Sequence, residues 1–387
     1  MVLTGTFKIF YTNHYSKIKN RTKMKHTKHL CTLALGATLL IVGCSKNDSP
    51  STPDKTYKSL NDGLYVLNEG SGHNNTYITY YDSITKDTTT DIYSNVNSTQ
   101  LGNFGNDELI YGNKLYVVIN GSNYVSVMDK RTAKLLAQIN AADGDSWQPR
   151  NLATYNGEIL VSAWDGTVSV IDTSSLTITN TIKAGTNLET MTVVGNTLYV
   201  ASSGGATYPQ LDSTVSIVDL NTMKETKRLK VGINPQKVVA DFKGNVYVLV
   251  WGYSDYSNPS NPKVIAPSKI YKIDATTQTV TDSSSVITTA DKMAIYNDVL
   301  YLDGSGNQPV FTLNTNNLHD NFVNFITDGT TLMYPYGINV DESNGNVYVT
   351  DAKDGQSPGE VYCFDKTGKM TFTFWANIFP DKVVFLR

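Results

Sequence analysis

Three of the four tryptophans, Trp147, Trp164 and Trp251, stand in segments rich in Asn, Gln, Ser and Gly and poor in charge. Other such segments supply Glu69 and His73 (within 68–75), Phe104 (103–106), Arg150 (145–150) and Asp165 (163–166). Tyr208 (203–212), Tyr253 (251–256, running on to Ser268), Tyr334 and Tyr336 (333–336) complete the set. Tyr and Trp give contact area with a hydrogen-bonding tip. Asn and Gln pair with amides, and Arg150 can hold an anionic group such as a phosphate. The composition suits a large ligand bearing amides or hydroxyls. Catalysis finds little support, and we read the chain as a binding protein, not an enzyme. Beyond residue 44 the only histidines are His73 and His319, and no His/carboxylate cluster has metal-ligand spacing. Neither a nucleophile elbow nor a phosphate-cradling Gly loop is present. Asp143-Gly144-Asp145 has calcium-type donors but reads first as a polar turn. Asp165, Asp303 and Asp351 follow equivalent strands, and a metal-dependent, lactonase-like site built on them is the weakest reading.

These segments need a scaffold, and the chain supplies one by repetition. Asn234 to Val250 reads as a strand, a Lys243-Gly244-Asn245 turn and a second strand. Gly and Asn tolerate the positive φ of tight turns, and the flanking β-branched and aromatic residues favour a pleated, buried surface. The second strand recurs as Gly63-Leu64-Tyr65-Val66, Asn113-Lys114-Leu115-Tyr116-Val117, Gly157-Glu158-Ile159-Leu160-Val161 and Asn196-Thr197-Leu198-Tyr199-Val200. It recurs again as Asn245-Val246-Tyr247-Val248, Asp298-Val299-Leu300-Tyr301-Leu302 and Asn346-Val347-Tyr348-Val349. A period of roughly 40 to 50 residues with several strands per unit predicts β-propeller blades. Each unit also has a third strand ending at Asp82, Asp129, Asp172, Asp219, Asp274, Asn314 or Asp365, then a polar fourth strand suited to an exposed edge.

The expectation is therefore an all-β, seven-bladed β-propeller of four antiparallel strands per blade, over residues 59–387. The last residues, Phe379 to Leu386, match Asn234 to Ala240, yet no unit follows them. The C-terminal strand is expected to become the innermost strand of the first blade. Connections then alternate between two faces, and the chemistry-bearing segments share one of them. Function concentrates in such loops on a rigid scaffold.

The first 44 residues carry seven basic residues, no acid and an apolar run, Leu30 to Val42, too short to span a bilayer. This is the pattern of a secretory signal, residues 1–43, with Met24 its more ordinary start. Ile41-Val42-Gly43-Cys44 resembles the bacterial lipobox, which implies lipidation of Cys44 and a flexible tether over 44–58. Removing those seven basic residues from the 32 of the chain leaves 25 against 35 acidic ones, a net charge of about −10. That balance argues against nucleic acid as a partner. Cys363, the one cysteine of the body, reads as a small buried residue.

The Asn-x-Leu-Tyr-Val strands, the Val-Ser-Val-Ile-Asp type of third strand and the Thr-rich fourth strands resemble the YncE-like seven-bladed propellers. With the lipobox, the Ser/Pro tether and Gly63-Leu64-Tyr65-Val66-Leu67-Asn68-Glu69-Gly70, the chain resembles the Bacteroides lipoprotein branch that includes the cobalamin-capturing, BtuG-like surface propellers. This resemblance implies an outer-membrane lipoprotein facing the cell exterior. It further implies a corrinoid ligand and a TonB-dependent outer-membrane transporter as partner, with no cofactor. The alternative is a propeller that binds a protein or a glycan.

Overall fold

The computed structural model of the chain describes residues 57–141, 147–207, 209–258, 261–285, 290–304 and 310–387. The expected signal, the lipidation site Cys44, most of the tether, Asp143 to Asp145 and Tyr208 lie outside the described residues. Residues from Lys58 to Arg387 form one compact unit.

That unit is a ring of seven four-stranded antiparallel sheets, as the repeats predict. From the axis outwards, blade one runs Pro380–Leu386, Gly63–Asn68, Tyr77–Asp82 and Thr88–Thr89. Blade two is Gly105–Tyr111, Lys114–Ile119, Tyr124–Asp129 and Leu135–Ile139. Blade three is Pro149–Tyr155, Glu158–Ala163, Thr167–Asp172 and Thr177–Lys183. Blade four is Leu188–Val194, Thr197–Ser202, Thr214–Asp219 and Lys224–Lys230. Blade five is Pro235–Ala240, Asn245–Val250, Lys269–Asp274 and Thr279–Ser283, with an extra hairpin, Tyr253–Asp255 and Lys263–Ala266. Blade six is Met293–Tyr296, Val299–Asp303, Val310–Asn314 and Val323–Asn324. Blade seven is Pro335–Val340, Val347–Asp351, Glu360–Phe364 and Met370–Trp375.

The second strands are buried on both sides because each blade is packed between two others, and they read as unbroken apolar runs. In two blades the recurrent tyrosine ties its blade to the next. Tyr65 is fully buried between blades, and its hydroxyl donates to the Lys130 carbonyl of blade two at 2.8 Å. Tyr199 of blade four does the same towards Ala275 of blade five at 3.3 Å. A phenylalanine would fill that space but leave the turn carbonyl without its donor.

The recurrent Asp closes the opposite face. Asp172 Oδ1 accepts from the amides of Ser174 and Ser175, and Asp129 Oδ1 from those of Arg131 and Thr132. Asp82, Asp219, Asp274, Asn314 and Asp365 cap the equivalent turns. These bonds favour the ionised form, so the Ser175 amide lowers the Asp172 pKa and the Thr277 amide lowers that of Asp274.

One element carries no signal in the repeat. Thr88–Thr89 is a very short outer strand, and a helix, Ile92–Asn97, follows it. Asp91 caps the helix by accepting from the Ser94 amide at 3.1 Å, and Ile92 and Tyr93 are buried. The outer strands of blades two to five and seven are longer, and in blade one this pair adds buried side chains beyond the short strand.

Pro380–Leu386 pairs along the whole of Gly63–Asn68, which closes the ring as expected. Val383 and Leu386 are buried. Two such side chains contribute about 1.5–3 kcal/mol each, and each ladder hydrogen bond about 0.5–1.5 kcal/mol. Together they reach the order of 10 kcal/mol, comparable with the net stability of a whole domain. Deletion of residues 380–387 should therefore abolish the cooperative thermal transition. A truncated protein that melts like the full chain would refute this account of closure.

Candidate functional site

The channel mouth is built by a repeated backbone device. In every blade but the sixth, the innermost strand opens with a β-bulge. The residues displaced by it are Asp381, Asn106, Arg150, Glu189 with Thr190, Gln236 and Tyr336. A bulge re-aims a side chain. Here it displaces one residue of the inner strand in five blades and two in the fourth.

A clasp fixes each bulge. The residue ahead of the strand adopts positive φ in five blades: Phe379 (52°), Phe104 (53°), Gln148 (50°), Asn187 (46°) and Asn234 (62°). Its carbonyl accepts from the first amide after the second strand: Glu69 to Phe379 at 2.8 Å, Asn120 to Phe104 at 2.9 Å, Trp164 to Gln148 at 3.1 Å. Ser203 to Asn187 (3.1 Å) and Trp251 to Asn234 (2.9 Å) repeat it. The left-handed conformation costs about 1–2 kcal/mol for a residue such as Phe, which one or two such bonds offset. The clasp ties the connections between second and third strands to those between blades, so both lie on one face.

A second lattice runs around the inner ring. Asp107 Oδ2 accepts from the Leu152 amide of blade three at 2.8 Å, and Asn151 Oδ1 from Met191 of blade four at 3.0 Å. Thr190 Oγ1 accepts from Val238 of blade five at 2.7 Å. The inner strands of blades two to five are thus hooked one to the next.

The charged groups occupy this ring. Arg150 holds Glu189 through Nη2 at 2.8 Å and Nε at 2.9 Å, and its guanidinium lies 4.9 Å from the centre of the Trp164 ring. Glu189 Oε1 also accepts from Trp164 Nε1 and Ser203 Oγ, each at 3.0 Å. Lys292 of blade six pairs with Asp381 of blade one, across the intervening blade, and sits 5.0 Å from the Tyr336 ring centre. Burial opposes the Lys292 charge, yet Asp381 raises its pKa above the ordinary lysine value. Lys382 lies 3.8 Å from Asp107. Among the described residues, Lys237 of blade five has no such pair. Desolvation first, then repulsion from Lys292, pulls its pKa down to about 8, against the attraction of Asp381.

The residues expected at the rim divide into three groups. Trp147 is corrected from rim to core: at 2 % exposed, it packs with Val118, Ile159 and Val161 between blades two and three. Trp164 is 8 % exposed and its indole N–H is committed to Glu189, so it shapes the mouth from beneath. Arg150, expected to hold an anionic group such as a phosphate, is bound to Glu189. Glu69, Phe104, Tyr334, Tyr336, Trp251 and Tyr253 are in the loop face as expected. Glu69 is buried and accepts from the Tyr336 hydroxyl, and the Tyr336 ring touches Tyr334 and Phe379 at 5.8 and 5.3 Å. His73 is exposed beside Ser71, and the exposed Asp165 caps its own turn by accepting from the Thr167 amide at 2.9 Å.

The carboxylates of the hydrolase reading are structural. Asp351 accepts from the amides of Met333, Tyr334 and Lys353 and pairs with the Lys353 ammonium at 3.1 Å. Asp303 accepts from the amides of Asp291 and Lys292 at 2.7 and 2.6 Å. Among the described residues, no group of three His, Cys, Asp or Glu side chains is placed to hold a metal ion.

Sequence reasoning missed Glu189, Lys237, Lys292 and Asp381, and also Trp375. A signal for part of it existed: Pro149, Pro235, Pro335 and Pro380 each open an inner strand, where a missing N–H does no harm, and the residue after each is the one its bulge displaces, which among the missed residues marks Asp381. Trp375, at 58 % exposed, ends the outer strand of blade seven, with Lys353 5.8 Å above its ring. It shares strand parity with Thr373, opposite to the packed Phe372 and Phe374. Between blades four and five a groove of about 470 Å³ opens, lined by Leu211, Lys230, Gly232, Pro267, Lys269 and Tyr271. A Cβ at Gly232 would stand 2.8 Å from Tyr271, so only glycine leaves this groove open.

Residues 62–385 match the family described as a domain of unknown function, DUF5074, and the chain belongs to that family. No curated protein matches. Among solved structures, a quinonprotein alcohol dehydrogenase-like protein from Bacteroides thetaiotaomicron is 16 % identical, with a TM-score of 0.59 over 83 % of this chain and 78 % of that one. The dihydro-heme d1 dehydrogenase NirN is 11 % identical, with a TM-score of 0.53 over 87 % and 77 %. Hydrazine synthase from Kuenenia stuttgartiensis is 17 % identical, with a TM-score of 0.51 over 66 % and 74 %. At these identities the likeness is one of fold.

Burial, with the Asp291 charge beside it, pushes Asp303 up to about 8. The unfolded value is about 3.9, so between these limits the folded state holds a proton that the unfolded state has lost. Stability from this group is full below about pH 4 and falls as pH rises towards 8. Asp303→Asn keeps the accepting oxygen and removes the titration. Urea unfolding should show a shallower decline from pH 5 to 8 in the variant; identical slopes would refute the assignment.

Proposed function

We propose that this DUF5074 propeller is a surface-anchored capture protein that takes a corrinoid on its long-loop face and passes it to a TonB-dependent outer-membrane transporter. The observation that carries this reading is the inequality of the two faces. One carries short turns closed by Asp side chains, with isolated exposed residues such as Ile84 and Phe242, which are ordinary on any surface. The other carries the extra hairpin of blade five, the groove beside it, the channel mouth and the exposed Val264, Ile265, Met333 and Trp375. An amide-rich body with an attached phosphate suits such a surface. Aromatic and apolar side chains would cover the macrocycle, backbone and Asn groups would meet the amides, and the charged ring would lie beneath.

Cys44 would be lipidated and hold the propeller to the outer membrane, facing the exterior. The exposed Val264, Ile265, Met333 and Trp375 equally favour a second reading, in which this face docks a protein or glycan and takes no small ligand.

Titrating the mature protein with cyanocobalamin should give saturable tryptophan quenching, and Trp375→Ala should weaken binding about tenfold, or ~1.4 kcal/mol. A flat fluorescence signal with no calorimetric heat removes the corrinoid reading. Recovery of a transporter from outer-membrane extracts supports the hand-off, whereas recovery of a different partner alone favours the second reading.

A further inference from the structure

We propose that the groove between blades four and five binds an aliphatic monocarboxylate, with the acid group at Lys269 and Tyr271 and the tail along Leu211, Val231 and Pro267. This goes beyond the corrinoid reading and does not rest on it. The groove holds about 470 Å³, within the range of about 300–1,000 Å³ usual for small-molecule sites. Among the described residues, blade five alone carries an extra hairpin, and Ala266 and Pro267 wall the groove where that hairpin rejoins the blade. The wall is fixed at its base. The Gly252 amide donates to the Ile233 carbonyl at 3.0 Å, and a Cβ on Gly252 would stand 2.2 Å from the Ala266 oxygen. On the facing side, Gly232 does not have the positive φ that would demand glycine. A Cβ there would meet Tyr271 Cε2 and Val250 Cγ2, each at 2.8 Å, and the Tyr271 hydroxyl at 3.1 Å. The glycine leaves room beside that hydroxyl.

The lining has an apolar part and a cationic part. Leu211, Val231, Ile233 and Pro267 are apolar, Lys230 and Lys269 carry ammonium groups, and no carboxylate lines the groove. Lys269 and Tyr271 flank Ile270 on one strand, so their side chains leave the same face of it. That face is the one on which Tyr271 packs against blade four, whereas Ile270 packs towards blade six. Among the described residues, neither ammonium and not the Tyr271 hydroxyl has a hydrogen-bond or ion-pair partner. The acids nearby are engaged elsewhere. Asp212 accepts from Thr186, Ser213 and Thr214, Glu225 is held by Arg228, and Asp255 lies opposite Lys263 in the hairpin. Counting them all, residues 211–231 and 253–274 carry four and three basic residues against three and two acidic ones. The groove is thus a positive spot on an acidic molecule. A carboxylate has two oxygens for two donors, the Lys269 ammonium and the Tyr271 hydroxyl. No guanidinium lines the groove to meet the further oxygens of a phosphate. An aliphatic tail would displace water from the apolar wall.

The experiment is calorimetry of the full mature protein with decanoate, decyltrimethylammonium and acetate, each below micelle formation. Decanoate should bind once per chain. The cationic amphiphile has a like tail with the opposite charge, and acetate has the charge without the tail, so both should bind at least tenfold more weakly. Lys269→Gln should weaken decanoate about tenfold, and Gly232→Leu should remove binding by filling the groove. Lys269 is partly exposed, so its variant decides the matter if Gly232→Leu does not fold. No decanoate binding by the wild type, equal binding of either control, or unchanged affinity in Lys269→Gln overturns the proposal. A protein that ignores cyanocobalamin yet binds decanoate through Lys269 fails the corrinoid reading and keeps this one; the converse result does the reverse.

Discussion

The pairing of Pro380–Leu386 with Gly63–Asn68 is the contact on which the other contacts depend. A blade alone cannot bury both faces of its second strand. Seven blades bury all but the two faces at the ends of the row, and joining the chain's ends buries those. The joint is also rich in packing. Tyr81 stacks on Phe372 and Phe374 at 5.5 and 4.4 Å, and Tyr348 meets Phe385 at 5.2 Å. The Asn377 amide is held by Asn68 Oδ1 at 2.8 Å, and Arg387 reaches Asp341 in blade seven. The seam between first and last blades is therefore held by more than a strand ladder.

Closure decides what the inner strands can carry. Once the ring is complete, their free edges face a narrow channel, where a straight strand would show only backbone. The bulges displace residues of the inner strand in six of the seven blades, and the clasps hold the bulges in register. The clasp also explains why Trp164 and Trp251, in unrelated loops, are equivalent: each is the first residue beyond a second strand, with its amide on the carbonyl of the positive-φ residue opposite. One backbone device thus sets the charged ring and the base of the loop face together. A substitution at a clasp residue would disturb both.

Most of the architecture was legible in the sequence because it rests on local periodicity. The Asn-x-Leu-Tyr-Val strands repeat since every blade has the same neighbours, and the Asp marker repeats since every third strand ends in the same capped turn. The match of Phe379-Pro380-Asp381 to Asn234-Pro235-Gln236 revealed the closure. What escaped depends on contacts between blades. Trp147 stands in a polar loop, yet its side chain turns back into the space between blades two and three. Lys292 looks like an ordinary lysine until Asp381 of blade one and Tyr336 of blade seven meet it. The helix Ile92–Asn97 escaped because six residues with a single cap carry almost no periodic signal. Trp375 was open to a parity argument, but only after the outer strand of blade seven had been placed.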